Sequence, residues 1–198
     1  MLDVVLLPAE VAAHGDPVIA DARLRAVIDA NYDAIWRFLR RMGVPAASVE
    51  DAAQQVLLVF ARKEDAVDPS AERSFLLGTA LRVAADFRKQ ASRSREVLGE
   101  ESDDVGACTP ANDASVESQL DDHRARRILD AILADFSDEI RAVFVMCDLE
   151  EMTMADAAIA LDVPAGTVAS RLRRGRELFA VRAAQVRDEM RAKEKVTL

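Results

Sequence analysis

A chain of 198 residues with 51% hydrophobic side chains is long enough for one or two domains with real cores. Seven glycines and six prolines leave little material for turn-rich β folds, and abundant Ala, Leu, Arg and Glu favour helices. The cysteines and histidines are too few for a disulfide framework and form no metal-ligand spacing: Cys108, Cys147, His14 and His123. Composition therefore indicates an all-α protein from a reducing compartment, with no metal and no other cofactor.

The formal net charge of −9 is concentrated in one segment. Residues 1–95 and residues 123–198 each carry 13 basic and 13 acidic side chains, whereas residues 96–122 carry nine acids and no base. The flanking parts are locally basic, with five bases and one acid from 82 to 95, and nine bases and four acids from 171 to 195. The overall charge therefore does not exclude nucleic acid as a partner.

The N-terminus, MLDVVLLPAE, is briefly apolar but carries Asp3 where a signal peptide requires a basic residue. No apolar run approaches the length of a membrane span. We expect a soluble cytoplasmic protein with no membrane insertion, in which residues 1–20 form an N-terminal extension without an assigned role.

Three helices are expected in a first domain, residues 21–95. The first ends at Gly43, because glycine is typical of the position just past a helix C-terminus. The second, in ASVEDAAQQVLLVFARK, starts with Ser48 as its N-cap and an acid three residues on. A polar loop, Glu64 to Arg73, leads to a third helix, Phe75 to Ser94, which starts apolar and ends basic.

Residues 96–120 are expected to form an acidic flexible linker. They contain Gly, Pro, Ser, Asn and Asp and almost no large apolar residue. Composition leaves open whether this segment is only a solubilising spacer.

Four helices are expected in a second domain, residues 121–198. The first runs roughly from Leu120 to Asp135, Ser137 caps the second, and Thr153 caps the third. The fourth lies in VPAGTVASRLRRGRELF. The third helix has small residues, and a tight turn joins it to the basic fourth, which is the pattern of a helix-turn-helix.

The fourth helix is amphipathic. At helical period, Val168, Leu172, Gly175 and Phe179 share one side, and the opposite side is small, polar or basic. An ordinary solvated helical hairpin gives a similar pattern, so this helix alone does not establish DNA binding. We expect the shared core of the helix-turn-helix to consist of Ile159, Leu161, Val163, Val168 and Leu172.

Three stretches together resemble RNA polymerase sigma factors of the extracytoplasmic-function (ECF) group. TMADAAIAL with VPAGTVASRLRRGRELF resembles the end of sigma region 4, AIWRFLRRMGVPAASVEDAAQQVLLVFARK the start of region 2, and FLLGTALRVAADFRKQ its end. The resemblance covers about residues 21–95 and 121–185 in the family's order. It implies a dissociable specificity subunit that binds core bacterial polymerase and directs promoter recognition, DNA melting and transcription initiation.

The resemblance implies that core polymerase is bound through its β′ and β subunits. The helix that starts at Ser48 would dock on a coiled coil of β′, and the exposed positions proposed for that contact are Asp51, Gln54, Gln55 and Leu58. The linker would thread the polymerase channels, or would screen the basic faces of both domains in the free protein.

The resemblance implies two contacts with promoter DNA. The loop before the third helix would hold a base flipped from the opened strand, and the helix itself would lie on the −10 element through Arg82, Asp86, Arg88, Lys89 and Arg93. The fourth helix of the second domain would enter the major groove of the −35 element through Thr167, Ser170, Arg171, Arg173, Arg174 and Arg176.

Other functions fit the sequence less well. A stand-alone helix-turn-helix regulator would bind duplex DNA without polymerase, but residues 123–198 carry no net charge. A structural adaptor leaves the basic helix ends unexplained. An enzyme is not expected, and Glu150 with Glu151 is interpreted as a solvated helix end. Many family members are held inactive by an anti-sigma factor, and the resemblance leaves open whether this chain has one.

Overall fold

A computed structural model describes residues 17–98 and 116–196. These two ranges contain helices and turns but no strand, so the all-α prediction is confirmed. Within them, no helix is long and apolar enough to cross a membrane. The α-helices, in chain order, are α1 (Pro17–Arg41), α2 (Val49–Ala61), α3 (Glu72–Leu98), α4 (Val116–Ala134), α5 (Asp138–Phe144), α6 (Met154–Leu161) and α7 (Ala165–Val196).

Helices extend into the segments predicted to flank and join the domains. Helix α1 begins at Pro17, inside the predicted extension 1–20, while α3 ends at Leu98 and α4 begins at Val116, inside the predicted linker 96–120. The rest of both segments, 1–16 and 99–115, lies outside the described residues.

Helices α1, α2 and α3 pack around one apolar core. Ile35, Phe38 and Leu39 from α1 are fully buried, as are Phe60 from α2 and Leu76 from α3. The chain leaves α1 through Gly43, whose φ of +86° lies in the region that favours glycine. This confirms the predicted helix end and turns α2 back onto α1.

The cap predictions are confirmed at one of three positions. The Thr153 Oγ1 accepts a hydrogen bond from the Asp156 amide at 3.1 Å and donates one to Asp156 Oδ2 at 2.7 Å. Ser48 and Ser137 occupy N-cap positions, but neither side chain forms a cap hydrogen bond. At Ser48 the reason is a preceding 3-10 turn, which gives this residue a φ of −113° and a ψ of −3° instead of extended dihedrals.

The described ranges 17–98 and 116–196 are called the first and the second half of the chain below. The core of the second half contains an aromatic cluster between α5 and α7. Phe144 meets Phe136 edge-on at 5.6 Å and stacks on Phe179 at 5.3 Å. A Cβ on Gly175 would stand 3.2 Å from the Phe144 ring, so glycine allows α7 to lie close to α5. After Phe144 the chain widens into a π-helical turn, Val145–Leu149, before α6.

The predicted helix-turn-helix core is confirmed except at Ile159. Val168 and Leu172 are buried, and Leu161 and Val163 are partly buried against them. Ile159 is 65% exposed, and Ala157 and Ala160 are buried in α6 instead. Residues three apart share one helical face, and these small side chains let α6 approach its neighbours closely.

We predict that Phe144→Ala lowers the free energy of unfolding by about 3–5 kcal/mol, because it removes a buried ring between two aromatic partners. Chemical denaturation followed by circular dichroism measures the loss. Val181→Ala, at a position that is 58% exposed on α7, is the control and is expected to change stability by less than about 0.5 kcal/mol. Equal losses in both variants would contradict the assignment of this core.

Candidate nucleic-acid interface

Helices α6 and α7 meet at a three-residue turn. Asp162 ends α6 in the left-handed conformation, with a φ of 53°. The Val163 amide then bonds to the Ala158 carbonyl at 3.1 Å, and the Pro164 carbonyl accepts from the Thr167 amide at 2.9 Å as α7 begins. This geometry presents the first turns of α7 at the surface, as a helix-turn-helix requires.

The outward face of α7 is basic and exposed. Ser170 and the side chains of Arg173 (78% exposed) and Arg174 (60% exposed) face solvent. The two arginines lie 3.9 and 3.3 Å from Glu177, and exposed pairs of this kind contribute little. Both guanidinium groups can therefore leave Glu177 for a base edge or a phosphate.

The other residues predicted for the −35 contact are less available to DNA. Thr167 and Arg171 are half-buried. Arg176 donates to both carboxylate oxygens of Asp148, at 2.6 and 2.9 Å, and this pairing raises the pKa of Arg176. This ion pair links α7 to the π-helical turn, so the Arg176 side chain is already engaged in a contact within the second half.

Four of the five predicted −10 residues form one stripe on α3. Arg82, Asp86, Lys89 and Arg93 are exposed and follow the i, i+4, i+7, i+11 spacing. Arg88 lies off this stripe and reaches the second half of the chain. The structure therefore brings the basic side chains of Arg82, Lys89 and Arg93 together on one surface, while Arg88 points away from it.

Arg88 pairs with Asp138 at the start of α5. Its two terminal nitrogens lie 2.7 and 2.6 Å from the two carboxylate oxygens. The bidentate hydrogen bond from Arg88 lowers the pKa of Asp138 below 3.8. This pair joins the end of the first half of the chain to the second.

The predicted polymerase-binding positions also form one stripe. Asp51, Gln54, Gln55 and Leu58 are exposed on α2 at i, i+3, i+4 and i+7. Leu58 is 57% exposed, whereas Val56 and Phe60 on the opposite side are fully buried. An exposed leucine framed by amides and an acid is typical of a protein contact with an apolar centre.

The interpretation of Glu150 as a solvated residue is wrong. Its side chain is completely buried, and Arg41 and Arg37 from α1 donate to it at 2.6 and 3.0 Å. Arg73, at the start of α3, donates to the Glu150 carbonyl at 2.6 Å and lies 3.8 Å from its carboxylate. Glu151, by contrast, is exposed, with a φ of 55°.

Glu150, Arg37, Arg41 and Arg73 are called the Glu150 cluster below. Burial lowers the pKa of Arg41, while the hydrogen bond to Glu150 raises that of Arg37. A buried carboxylate is tolerated only where hydrogen bonds and opposite charges replace its water. No local sequence pattern signals this cluster, because its members come from three separate helical segments.

Two helical units, the second of which ends in a helix-turn-helix with an exposed basic face, are typical of DNA-binding transcription factors. Residues 123–179 match the family model "Sigma-70, region 4". The chain is 30% identical over 167 residues to the ECF RNA polymerase sigma factor SigL of Mycobacterium tuberculosis, which covers 83% of this chain and 88% of SigL. It is also 30% identical over 146 residues to SigE of Mycolicibacterium smegmatis, covering 73% of this chain and 55% of SigE.

Two solved structures share the fold. The sigma factor RpoE of Bartonella quintana, in complex with the anti-sigma factor NepR, superposes with a TM-score of 0.64 at 16% identity, covering 82% of this chain and 97% of RpoE. CnrH, in complex with the cytosolic domain of CnrY, gives 0.60 at 18% identity, covering 83% and 92%. The chain belongs to the ECF RNA polymerase sigma factors. It is a transcription initiation factor and not a stand-alone regulator.

We predict that the Arg88–Asp138 pair stabilises the protein above the unfolded-state pKa of aspartate, about 3.9. Because the folded-state pKa of Asp138 is lowered, this contribution is lost as pH falls through that lower value. Asp138→Asn should therefore lower the melting temperature at pH 6 and lower it by progressively less as the pH falls below about 3.9, measured by thermal denaturation. Glu139→Gln removes the same charge one residue away, and an equal pH-dependent effect there would contradict the assignment.

Proposed function

We propose that this sigma factor contacts core polymerase and promoter DNA through three separate surfaces. Residues 21–95 act as region 2 and residues 121–198 as region 4, joined by the acidic segment 96–120. The strongest support for this proposal comes from the outward face of α7. Ser170, Arg173 and Arg174 are exposed on this face, and the opposite face is buried through Val168 and Leu172. A helix of this form, preceded by a short helix and a tight turn, fits a major groove.

The −35 contact belongs to the first turns of α7. Arg173 and Arg174 are placed for base edges, and a well-aligned arginine on guanine contributes about 1–3 kcal/mol of discrimination. Thr167 and Ser170 lie nearer the helix start and supply contacts through short side chains, whereas Arg171 is placed for the DNA backbone. Arg176 reaches the DNA backbone only if it releases Asp148.

The −10 contact belongs to α3. Arg82, Lys89 and Arg93 neutralise phosphates of the opened strand, which gives affinity without sequence information. The polar loop Glu64 to Arg73 has no aromatic side chain, so a base flipped into it is held by hydrogen bonds to its edge.

The polymerase contact belongs to the exposed stripe of α2. Leu58 supplies an apolar centre and Asp51, Gln54 and Gln55 surround it, a composition that suits a partner helix of the β′ subunit. Region 4 then contacts the β subunit. The factor acts in the cytoplasm, where core polymerase is found, and it has no catalytic activity of its own. The complex of its structural relative RpoE with the anti-sigma factor NepR supports an anti-sigma factor as a further partner.

We predict that Asp51→Lys with Gln54→Lys abolishes binding to core bacterial RNA polymerase, because it reverses the charge of the α2 stripe. Binding is measured by fluorescence anisotropy of the labelled factor. Asp29→Lys with Ala30→Lys changes the net charge equally at exposed positions of α1 and should bind like the wild type. If the double variant binds core polymerase as tightly as the wild type does, the α2 stripe is not the polymerase contact.

We predict that Arg173→Ala weakens binding of the reconstituted holoenzyme to its promoter by about 1–3 kcal/mol and relaxes the preference at one −35 position. The promoter is first selected by the holoenzyme from a randomised DNA library, and binding is measured on all four bases at each position. Arg187→Ala, at an exposed position later in α7, should leave the base preference unchanged. A uniform loss for all sequences would assign Arg173 to the phosphate backbone instead.

A further inference from the structure

One arginine of α1 holds the polar loop Glu64 to Arg73, the part of the protein proposed to hold the flipped base. Arg23 donates from Nε and Nη2 to the Glu72 carboxylate at 3.0 and 2.8 Å, where the loop enters α3. Its Nη2 also donates to the Val67 carbonyl, in the middle of the loop, at 2.9 Å. A single guanidinium group therefore joins two points of the loop to α1.

The start of the loop depends on the same arginine. The Glu64 side chain is only 10% exposed, and its Oε1 lies 4.0 Å from the Arg23 Nε. Among the described residues, no donor bonds to this buried oxygen. A buried carboxylate is tolerated only where opposite charge replaces its water. Removal of Arg23 would therefore leave Glu64 uncompensated and would release the first turn of the loop.

The loop also forms part of the wall of a cavity of about 340 Å³. Lys63 and Asp68 line it from the loop side, and Phe75 and Arg82 line it from α3. Ile159 of α6 lies on the far side. Pockets that bind small molecules typically measure about 300–1,000 Å³, so a single nucleobase fits between the loop and α3.

Asp68 is the hydrogen-bond acceptor that the loop presents to this cavity. Its Oδ1 accepts hydrogen bonds from the Ser70 amide, at 2.8 Å, and from the Ser70 hydroxyl. These bonds and, to a smaller extent, the charge of Arg23 lower the pKa of Asp68, so the carboxylate is ionised at neutral pH. Both bonds use Oδ1, and Oδ2 remains available to a donor on a base.

An ionised carboxylate distinguishes the bases by their exocyclic groups. It accepts hydrogen bonds and cannot donate them. Cytosine and adenine carry an amino group where thymine and guanine carry a carbonyl oxygen. Such a contact discriminates only if the acceptor is held to within about 0.5 Å. Because Asp68 directly follows Val67, the bond from Arg23 to the Val67 carbonyl sets the position of the Asp68 carboxylate.

We propose that Asp68 recognises the exocyclic amino group of the flipped −10 base, and that Arg23 is a positioning residue that holds the loop for this contact. The inference rests on the proposed −10 function of the loop. Arg23 acts from behind the loop, through Val67, Glu72 and Glu64, and needs no contact with DNA of its own.

The recognition is tested with the reconstituted holoenzyme on its selected promoter, with the −10 strand left single-stranded. Binding is measured with all four bases at each −10 position, and the wild type should favour cytosine or adenine by about tenfold at one of them. Asp68→Asn keeps an acceptor for Ser70 but turns an amide donor toward the base, so the preference should shift toward thymine or guanine. An unchanged preference would refute the role of Asp68.

The positioning role is tested on the same DNA. Arg23→Ala should remove most of the preference at that position, while the −35 preference and the affinity for core polymerase stay as in the wild type. Glu72→Ala should have the same effect, whereas Glu72→Gln keeps an acceptor oxygen for Arg23 and should retain the preference. Arg126→Ala, which removes an exposed arginine from α4, is the control for lost charge. A full preference in Arg23→Ala would refute the positioning role.

Hydrogen exchange measured by NMR separates a loosened loop from an unrecognised base. The amides of Val67 and Ala71 bond to the Glu64 and Asp68 carbonyls at 3.2 and 2.9 Å, so their exchange reports on the loop itself. Arg23→Ala should raise both exchange rates by about tenfold or more and leave amides in the middle of α1 unchanged.

The two failures are distinguishable. Unchanged loop amides in both Arg23→Ala and Glu72→Ala would refute the positioning role and leave the proposed −10 function standing. A loosened loop without any change in the −10 preference would refute the assignment of the loop to the −10 element, and with it the role of Asp68, while the support of the loop by Arg23 would stand.

Discussion

One buried carboxylate determines how the two halves of this sigma factor meet. Glu150 gives up its hydration completely, which costs several kcal/mol unless charged donors replace the water. Arg37 and Arg41 donate to the carboxylate, Arg73 lies 3.8 Å from it, and all three belong to the first half of the chain. Because Glu150 lies four residues before α6, satisfying its carboxylate also sets where α6 can lie. The backbone contact between α6 and α3 follows from that placement.

Much of the fold follows from local patterns in the sequence. The exposed faces of α2 and α7 were predicted correctly because helical period and burial agree along each helix. Thr153 was predicted correctly because its cap involves only residues of the same turn. In α6 the pattern is uninformative, since the helix is short and apolar on several sides, and the choice of Ala157 over Ile159 for the core depends on how closely the neighbouring helices approach.

The Glu150 cluster could not be predicted from the sequence. Its carboxylate lies 113 and 109 residues from Arg37 and Arg41 and 77 residues from Arg73. Two adjacent glutamates before a short helix are typical of a solvated end, and Glu151 behaves as one. Only the packing of α1 and α3 against the second half distinguishes Glu150 from its neighbour. The same holds for Arg88, whose local sequence is that of a basic helix surface.

The close approach of Gly78 in α3 to α6, where a Cβ on Gly78 would stand 2.4 Å from the Ala160 carbonyl oxygen, also limits how this chain can evolve. Any side chain at position 78 needs a compensating displacement of the backbone at position 160, so the two positions cannot vary independently. A chimera that combines the first half of this chain with the second half of a relative would therefore keep only one side of this contact, and the two halves would have to be exchanged together.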